Sequence, residues 1–221
     1  MVTTLQKSLE RIHGMDLYQP RPQVPTFHFG PARRLLLAEL TRQLGHAPTF
    51  PWWKDDKGTV HSPYDDVADW MYDTQGKGLM LLGSCGQGKT LLARHVLPPL
   101  LHACYDRCVQ CYDATDMLRS PDKVLRAQMV MVDDIGQEGE YVSYGTKRNI
   151  FCELVDAAEK QGKFLLLTSN LTADEMLRKY GERTMDRLRA LTKCIIFKGE
   201  SMRAQGSAAQ SHEQVAPLAP G

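Results

Sequence analysis

One stretch of the chain decides its fold: Leu79-Met80-Leu81-Leu82, followed directly by Gly83-Ser84-Cys85-Gly86-Gln87-Gly88-Lys89-Thr90. The four apolar residues are typical of a buried strand, and the next eight match the phosphate-loop pattern G-x-x-x-x-G-K-[ST]. Glycines let the backbone point its N–H groups at phosphates, and the helix that begins near Gly88 adds the positive end of its dipole. The alternative is a glycine-rich turn with a chance lysine, but the order strand, loop and helix favours a nucleoside triphosphate site.

Within this loop the residue types assign the roles. Lys89 is expected to reach the outer phosphates, and the Thr90 hydroxyl is expected to ligate Mg²⁺. Leu91, which carries the loop into the helix, is counted with the nucleotide-binding residues. The predicted cofactors are therefore ATP and Mg²⁺.

Length and composition restrict the class of protein. A chain of 221 residues has room for one α/β domain with a small appendage. Its 27 Lys+Arg and 26 Asp+Glu nearly cancel, so any nucleic-acid-binding surface has to be local. No apolar run approaches the ~20 residues of a membrane span, and the N-terminus lacks a signal core, so we expect a cytoplasmic protein without a membrane partner.

Six cysteines without secretory features favour reduced thiols over disulfides. His102, Cys104, Cys108 and Cys111 cluster in the sequence, which raises the question of a metal site. However, Cys108 and Cys111 fall in a predicted strand, where a spacing of three sends side chains to opposite faces. Buried cysteines that pack as small apolar residues are the favoured interpretation.

The periodicity divides the chain into three parts: an N-terminal arm with a short helical region at 1–62, which is a candidate for partner docking, an α/β domain at 63–203, and a disordered tail at 204–221. The first 29 residues are polar and proline-rich, and Pro31 and Gly45 bracket one amphipathic helix. In the central domain, helices alternate with short apolar strands, which predicts a parallel sheet flanked by helices. We expect strands near 78–83, 108–112, 128–132, 164–168 and 194–197, and helices near 64–72, 88–104, 145–161 and 173–190.

Two further strands end in polar residues suited to phosphate chemistry. Met129-Val130-Met131-Val132 precedes Asp133 and Asp134, of which the first would hold Mg²⁺ through its water shell and the second would orient or deprotonate the attacking water. Turn formation is the alternative role for such an acid pair. Asn170 follows the strand near 164–168 and would hydrogen-bond both the γ-phosphate and the attacking water. Capping of the next helix is the alternative role, and the two roles are not exclusive. Because ligands of open α/β sheets bind beyond the carboxyl ends of strands, these side chains are expected to share one pocket with Lys89.

One segment is locally basic, and it contains Arg183 and Arg187, four residues apart on one helical face. Either arginine would serve as an arginine finger that neutralises charge on a transferring phosphoryl group. The alternative is a solvated helix face with ion pairs to Glu182 and Asp186.

Together these residues resemble the AAA+ ATPase domain of bacterial and phage helicase loaders of the DnaC type, with IstB-type transposition helpers as relatives. The resemblance is carried, in order, by Val132-Asp133-Asp134-Ile135-Gly136, Thr168-Ser169-Asn170-Leu171, Tyr180-Gly181-Glu182-Arg183-Thr184-Met185-Asp186-Arg187-Leu188-Arg189 and Ser201-Met202-Arg203. It implies a P-loop NTPase fold with a parallel five-stranded sheet and no C-terminal lid domain.

By this resemblance Asn170 is the sensor 1 residue, Arg187 the finger that completes a neighbouring subunit's site, and Arg183 a second arginine of that motif. Arg203 resembles the last arginine of such loaders and joins the nucleotide-binding set. The implied function is an ATPase that places a DnaB-type hexameric helicase on single-stranded DNA during replication and self-associates through Arg187.

Two alternatives stay open. Asp134 stands where most AAA+ proteins carry Glu, and its shorter side chain predicts slow hydrolysis, which suits an IstB-type transposition helper or a nucleotide-gated adaptor. A P-loop kinase is disfavoured, because the arginine motif and Asn170 fit a hydrolase better. Initiator-type relatives often carry a DNA-contacting helix in the connection that runs here from Asp113 to Gln128. The basic residues in this connection are Arg119, Lys123 and Arg126, which are therefore the candidates for a direct DNA contact.

Overall fold

The structure is a computed structural model, and it describes residues 22–48, 60–139, 141–143 and 146–198, together with residues 4, 6, 7, 11, 53, 54, 57 and 58. Its centre is a five-stranded parallel sheet with strand order β4-β5-β8-β3-β9. These strands are β3 (Gly78–Gly83), β4 (Gln110–Asp113), β5 (Met129–Ile135), β8 (Phe164–Ser169) and β9 (Thr192–Phe197). The predicted α/β class and parallel five-stranded sheet are confirmed.

Short antiparallel pairs lie outside the main sheet: β1 (Trp53–Lys54) with β2 (Val60–His61), and β6 (Tyr141–Ser143) with β7 (Thr146–Arg148). The helices are α1 (Ala32–Leu44), α2 (Pro63–Tyr72), α3 (Leu97–Tyr105), α4 (Pro121–Arg126), α5 (Ile150–Gln161), α6 (Ala173–Tyr180) and α7 (Glu182–Leu191). A π-helix at Leu91–Val96 precedes α3, and a 3₁₀ turn at Asp116–Leu118 precedes α4.

The central strands β3, β5 and β8 are adjacent and parallel, so their carboxyl ends meet at one edge of the sheet. Their core residues are almost completely buried, as expected for strands covered by helices on both faces. This arrangement brings together three segments that are far apart in sequence, namely the ends of the strands at residues 83, 135 and 169.

Hydrophobic residues form one cluster on each face of the sheet. The first contains Phe27, Phe29, Leu36 and Leu40 together with residues of α2, α3 and the sheet. Residues 22–29 are irregular, as expected, but they are fixed to the domain: the Phe27 N–H donates to Thr74 Oγ1 at 2.8 Å, and the ring packs edge-on against Phe164. The described part of the predicted N-terminal region therefore shares a core with the α/β domain.

Helix α1 begins and ends where the sequence predicts. Pro31 precedes its first residue, and Gly45 follows with a φ of 75° and donates its N–H to the Thr41 carbonyl. Only a residue without a Cβ adopts this left-handed conformation at little cost, which explains the stop at Gly45.

The helix after the phosphate loop changes its winding before Pro98 and Pro99. Neither proline can donate the N–H that an α-helix requires, and the preceding turn is a π-helix in which the Leu97 N–H donates to the Leu92 carbonyl. Gln43 Nε2 donates to the exposed backbone carbonyl of His95 at 2.9 Å. The helix therefore continues past the two prolines, with a change in its hydrogen-bond pattern at the π-helical turn.

Two predicted helices were wrong in their bounds. The helix expected from 145 begins at Ile150, because residues 146–148 form β7 and the Asn149 side chain caps the helix by accepting from the Cys152 N–H. The helix expected over 173–190 is two helices, separated at Gly181 with φ 78° and ψ 163°. Helix α4 was not predicted, although Pro121 at its first turn is a recognisable start.

None of the described helices is long and apolar enough to cross a membrane. The six cysteines are all free thiols, as expected, but the prediction that they are buried is wrong for Cys104 and Cys108, which are exposed, and for Cys111, which is half-buried. Cys108 also lies before the strand, which begins at Gln110. Within the described part of the chain, no three His, Cys, Asp or Glu side chains lie together as a metal-binding group; Cys108 Sγ and His102 Nδ1 approach each other at 3.8 Å.

Candidate nucleotide-binding site

The predicted phosphate loop connects β3 to the following helix, whose helical residues begin at Lys89. Gly86 and Gly88 have φ angles of 83° and 85°, a conformation that strongly favours glycine. At Gly83, with φ 147°, an added Cβ would lie 2.4 Å from the Phe197 carbonyl oxygen of β9. The glycines of the motif are therefore required by backbone conformation and by the close approach of a neighbouring strand.

The Lys89 ammonium group lies inside the loop. Its Nζ donates to the backbone oxygens of Gly83 at 2.9 Å and Ser84 at 2.7 Å, and to Asn170 Oδ1 at 2.9 Å. The residue is 5% exposed. These three partners are neutral oxygens, and a buried cation beside them remains strongly attractive to an anion, so the loop suits the phosphates of a nucleotide.

Thr90 and Asp133 meet next to the loop, where the Thr90 hydroxyl donates to Asp133 Oδ1 at 3.0 Å. Mg²⁺ prefers hard oxygen ligands such as hydroxyls, carboxylates and water, and this hydrogen bond places a hydroxyl and a carboxylate side by side. The pair therefore fits the magnesium ion that the sequence predicts, with the hydroxyl and the carboxylate as its protein oxygens. The Asp133 side chain is 7% exposed, and this burial makes its charge more effective than on the surface.

Strand β5 becomes irregular where its two acids lie. Its pairing with β8 shifts register between Val132 and Ile135, and Asp134 adopts a left-handed φ of 54°. The Asp134 N–H donates to Thr168 Oγ1 at 2.9 Å, and the Thr168 hydroxyl in turn donates to Asp133 Oδ1 at 2.5 Å. One fully buried threonine of β8 thus holds both acids of β5 in place.

Asn170 connects the loop to the second acid. Its Oδ1 accepts from Lys89, and its Nδ2 donates to Asp134 Oδ1 at 2.9 Å. The side chain is the first after β8 and is exposed at the sheet edge. Helix α6 is capped by Thr172 and Glu175, so the capping role that was the alternative for Asn170 belongs to Thr172.

An ion pair lies on the β4 side of this site. Arg94, in the π-helix, donates to Asp113 Oδ1 at 2.7 Å, and its Nη1 lies 4.0 Å from Asp133 Oδ2. The hydrogen bond to Asp113 raises the pKa of Arg94, and the charges of Asp113 and Asp133 act in the same direction, against burial, which lowers it. Asp113 and Asp133 are register partners on β4 and β5.

The predicted arginines lie elsewhere. Arg187, in α7, pairs with Asp156 and with Glu159 of α5, the latter at 2.6 Å between Nε and Oε2, and its side chain is 15% exposed. Arg183 is exposed and has no ion-pair partner among the described residues. Arg203 falls outside the described residues. The structure therefore brings neither Arg183 nor Arg187 to the site of its own chain, and the trans-acting role of Arg187 stays a prediction.

Sequence reasoning missed Thr168, Arg94 and Asp113 as parts of the site. Thr168 was visible as the hydroxyl that directly follows the apolar run Phe164-Leu165-Leu166-Leu167. Arg94 and Asp113 carried no signal of their own, since their relation to Asp133 depends on the pairing of β4 with β5.

Taken together, the site offers a cation inside a glycine loop, an oxygen pair for Mg²⁺, and a second carboxylate joined to an amide. Such an arrangement has the chemistry to bind a polyphosphate with a metal ion, and it places a carboxylate beside an amide, a pair suited to orienting a water molecule.

No protein-family model matches the chain, and no curated protein does. Solved structures are similar at the level of fold. The DnaC helicase loader is 19% identical, with 55% of this chain and 78% of the loader covered and a TM-score of 0.47. DnaI is 22% identical, with 55% and 73% covered and a TM-score of 0.45. DnaA from Aquifex aeolicus, bound to AMPPCP, is 16% identical, with 62% and 45% covered and a TM-score of 0.42. All three TM-scores are below 0.5, so the interpretation of the site depends on its own residues.

Proposed function

We propose that this protein binds and hydrolyses ATP with Mg²⁺ and acts as an AAA+ loader of a replicative DNA helicase. One observation carries the nucleotide part. Lys89, Thr90, Asp133, Asp134 and Asn170 belong to a connected hydrogen-bond network, completed by Thr168, at the carboxyl ends of three adjacent parallel strands. Phosphate, metal and water ligands are needed within a few ångströms of one another for phosphoanhydride hydrolysis, and this network supplies one of each.

Each residue has a role that follows from its contacts. Lys89 would exchange its bonds to the loop carbonyls for phosphate oxygens. Thr90 and Asp133 would hold Mg²⁺, whose positive charge would offset charge developing on the phosphate oxygens. Asp134 would accept a proton from water or align it, with Asn170 as the hydrogen-bonding partner that fixes the carboxylate.

Nucleotide binding and phosphate release test this proposal. A fluorescent ATP analogue should bind with Mg²⁺, and phosphate should form without any added acceptor. Lys89→Ala should weaken binding at least about tenfold, because a charge-assisted contact to phosphate is lost. Lys160 is exposed and lies in α5, so Lys160→Ala serves as the matched control and should bind like the parent protein. Equal affinity of the Lys89 variant and the parent would contradict the assignment, and phosphate transfer only in the presence of a nucleoside acceptor would indicate a kinase.

The loader part rests on the order of motifs along the chain. We infer a DnaB-type hexameric helicase as partner and single-stranded DNA as the strand on which it is placed. Purification of the tagged full chain from its native host should recover a hexameric helicase in an ATP-dependent manner. Recovery of a transposase instead would assign the protein to IstB-type transposition helpers.

A second candidate, a nucleotide-gated adaptor with weak hydrolysis, is favoured by one feature. The Asp134 carboxylate is short, sits on a left-handed residue and is already bonded to Asn170, which limits its freedom to approach water. Asp134→Glu should raise the rate of phosphate release if reach limits hydrolysis. A lower rate in Asp134→Glu would show that the reach of Asp134 does not limit hydrolysis, and it would contradict this reason for weak activity.

Self-association through Arg187 requires the guanidinium to leave Asp156 and Glu159, or to use its remaining N–H groups. Mixing Arg187→Ala with Asp134→Ala protein tests it, since a mixed interface would join one intact arginine with one intact acid. Restored phosphate release at raised protein concentration supports a shared site. No restoration at any ratio would assign Arg187 to the packing of α7 on α5.

A further inference from the structure

Arg94 is an unusual neighbour for a magnesium site. Its guanidinium lies 4.0 Å from Asp133 Oδ2, the carboxylate that the proposed function assigns to Mg²⁺, and 2.7 Å from Asp113 Oδ1. A fixed positive charge beside a metal carboxylate opposes the binding of a dication, because like charges repel. The cation inside the phosphate loop is Lys89, which donates to the loop and to Asn170, so Arg94 is a separate positive charge.

The position of Arg94 follows from the local fold. It lies in the π-helix that accommodates Pro98 and Pro99, so the turn that carries it is wider than an α-helical turn. Asp113 is the last residue of β4 and pairs in register with Asp133 of β5. Arg94 therefore bridges the ends of two neighbouring strands from the helix above them.

The two carboxylates compete for this one cation. Asp113 holds the nearer position, and Arg94 keeps a longer distance to Asp133. The Arg94 side chain is 26% exposed and that of Asp133 is 7% exposed, so solvent screens their interaction less than at the surface. Asp113 thus both offsets the charge of Arg94 and holds it away from the metal carboxylate.

We propose that the Arg94–Asp113 pair sets the affinity of this site for Mg²⁺, with Arg94 lowering the affinity and Asp113 raising it. The inference rests on the proposed function, since it concerns the metal of the same nucleotide site. In this role the pair acts on the metal site through its charges. The alternative is a strut, that is, a purely structural ion pair that only joins the helix to the sheet. A strut predicts that loss of either partner has the same sign of effect, whereas the charge-setting role predicts opposite signs.

The experiment measures nucleotide binding, not turnover. For each variant of the full chain, the dissociation constant of a fluorescent non-hydrolysable ATP analogue is determined in EDTA and in saturating Mg²⁺. The dissociation constant in EDTA is divided by the dissociation constant in Mg²⁺. By linkage, this ratio equals the factor by which the protein-bound nucleotide binds Mg²⁺ more tightly than the free nucleotide. This ratio is independent of any change that affects nucleotide binding equally in both conditions.

Arg94→Gln should raise the ratio about tenfold and Asp113→Asn should lower it by about the same factor, as expected for one unit charge added or removed at short range in a partly screened site. The double variant restores the charge balance and should lie within about twofold of the parent. Arg42→Gln removes an Arg–Glu pair of similar geometry on α1 and should leave the ratio unchanged.

An unchanged ratio in both single variants, or shifts of the same sign, would overturn the inference. If Arg94→Gln does not fold, Asp113→Asn is compared with Asp113→Glu, which keeps the charge but changes the contact with Arg94; a lowered ratio in Asp113→Asn alone supports the charge-setting role, and an equal loss in both variants overturns it. The Asp113 side chain is 47% exposed and tolerates either change. Parent protein that binds no analogue in either condition would instead remove the proposed function, so the two failures are distinguishable.

Discussion

Thr168→Val is the sharpest test of how the acids of β5 are held. The substitution keeps the shape of a fully buried side chain but removes its hydroxyl. It deletes a hydrogen bond to the Asp133 carboxylate, and a bond to a charged group contributes about 1.5–3 kcal/mol. It also leaves the Asp134 N–H without its partner, which costs about 1–3 kcal/mol when not recovered by water. Allowing for partial relaxation, we expect a loss of about 3 kcal/mol, or about 6–12 °C in Tm.

The assay is equilibrium unfolding in denaturant, with Thr168→Ser as the matched control. Serine keeps the hydroxyl and loses one buried methyl group, which costs about 1 kcal/mol. The more apolar valine should therefore be the less stable of the two variants, the reverse of the order that burial of apolar surface predicts. Valine as stable as serine, or more stable, would refute the assignment of Thr168 as the residue that holds both acids.

Three further changes test the fold and the site's surroundings. Burial raises the pKa of Tyr64 to about 12. Because the unfolded chain loses this proton first, near pH 10, stability should fall by about 2–3 kcal/mol between pH 10 and pH 12. Tyr64→Phe should lack that part of the loss in denaturant titrations at each pH. Gly78→Ala should destabilise by more than about 2 kcal/mol, since its Cβ would lie 2.1 Å from a carbonyl oxygen of β8, whereas Gly30→Ala meets nothing and should be neutral by thermal unfolding. Arg187→Ala should cost about 1–3 kcal/mol in the same measurement, because two carboxylates of α5 lose a mostly buried partner, whereas Arg183→Ala should change stability by less than about 0.5 kcal/mol.

The elements that the sequence predicted well are those whose cause is local. The strand before Gly83 and the helix between Pro31 and Gly45 depend on composition and on residues with restricted dihedral angles, and both appear at the expected positions. The failures have local causes that compete with periodicity. Gly181 splits a helix whose apolar spacing continues across it, and Asn149 starts a helix later than its apolar pattern suggests.

For the site, strand-end residues were predictable, because parallel strands deliver them to one edge. Lys89, Asp133 and Asn170 were expected together. Lys89 donates directly to Asn170, and Asn170 is connected to Asp133 through Asp134 and Thr168. Strand order and register were not predictable from residue spacing. Without the pairing of Asp113 with Asp133, nothing in the sequence related Arg94 to a metal carboxylate.

The packing of Phe27 and Phe29 against the sheet has a practical consequence for dissecting this protein. A shortened version that starts at residue 63 would lose both rings, as well as Leu36 and Leu40, from one of the two apolar clusters. The uncovered surface would include the rings of Phe164 and Tyr105, against which Phe27 now lies. Insolubility of such a fragment would report a missing layer of the fold and carry no information about what the N-terminal residues recognise.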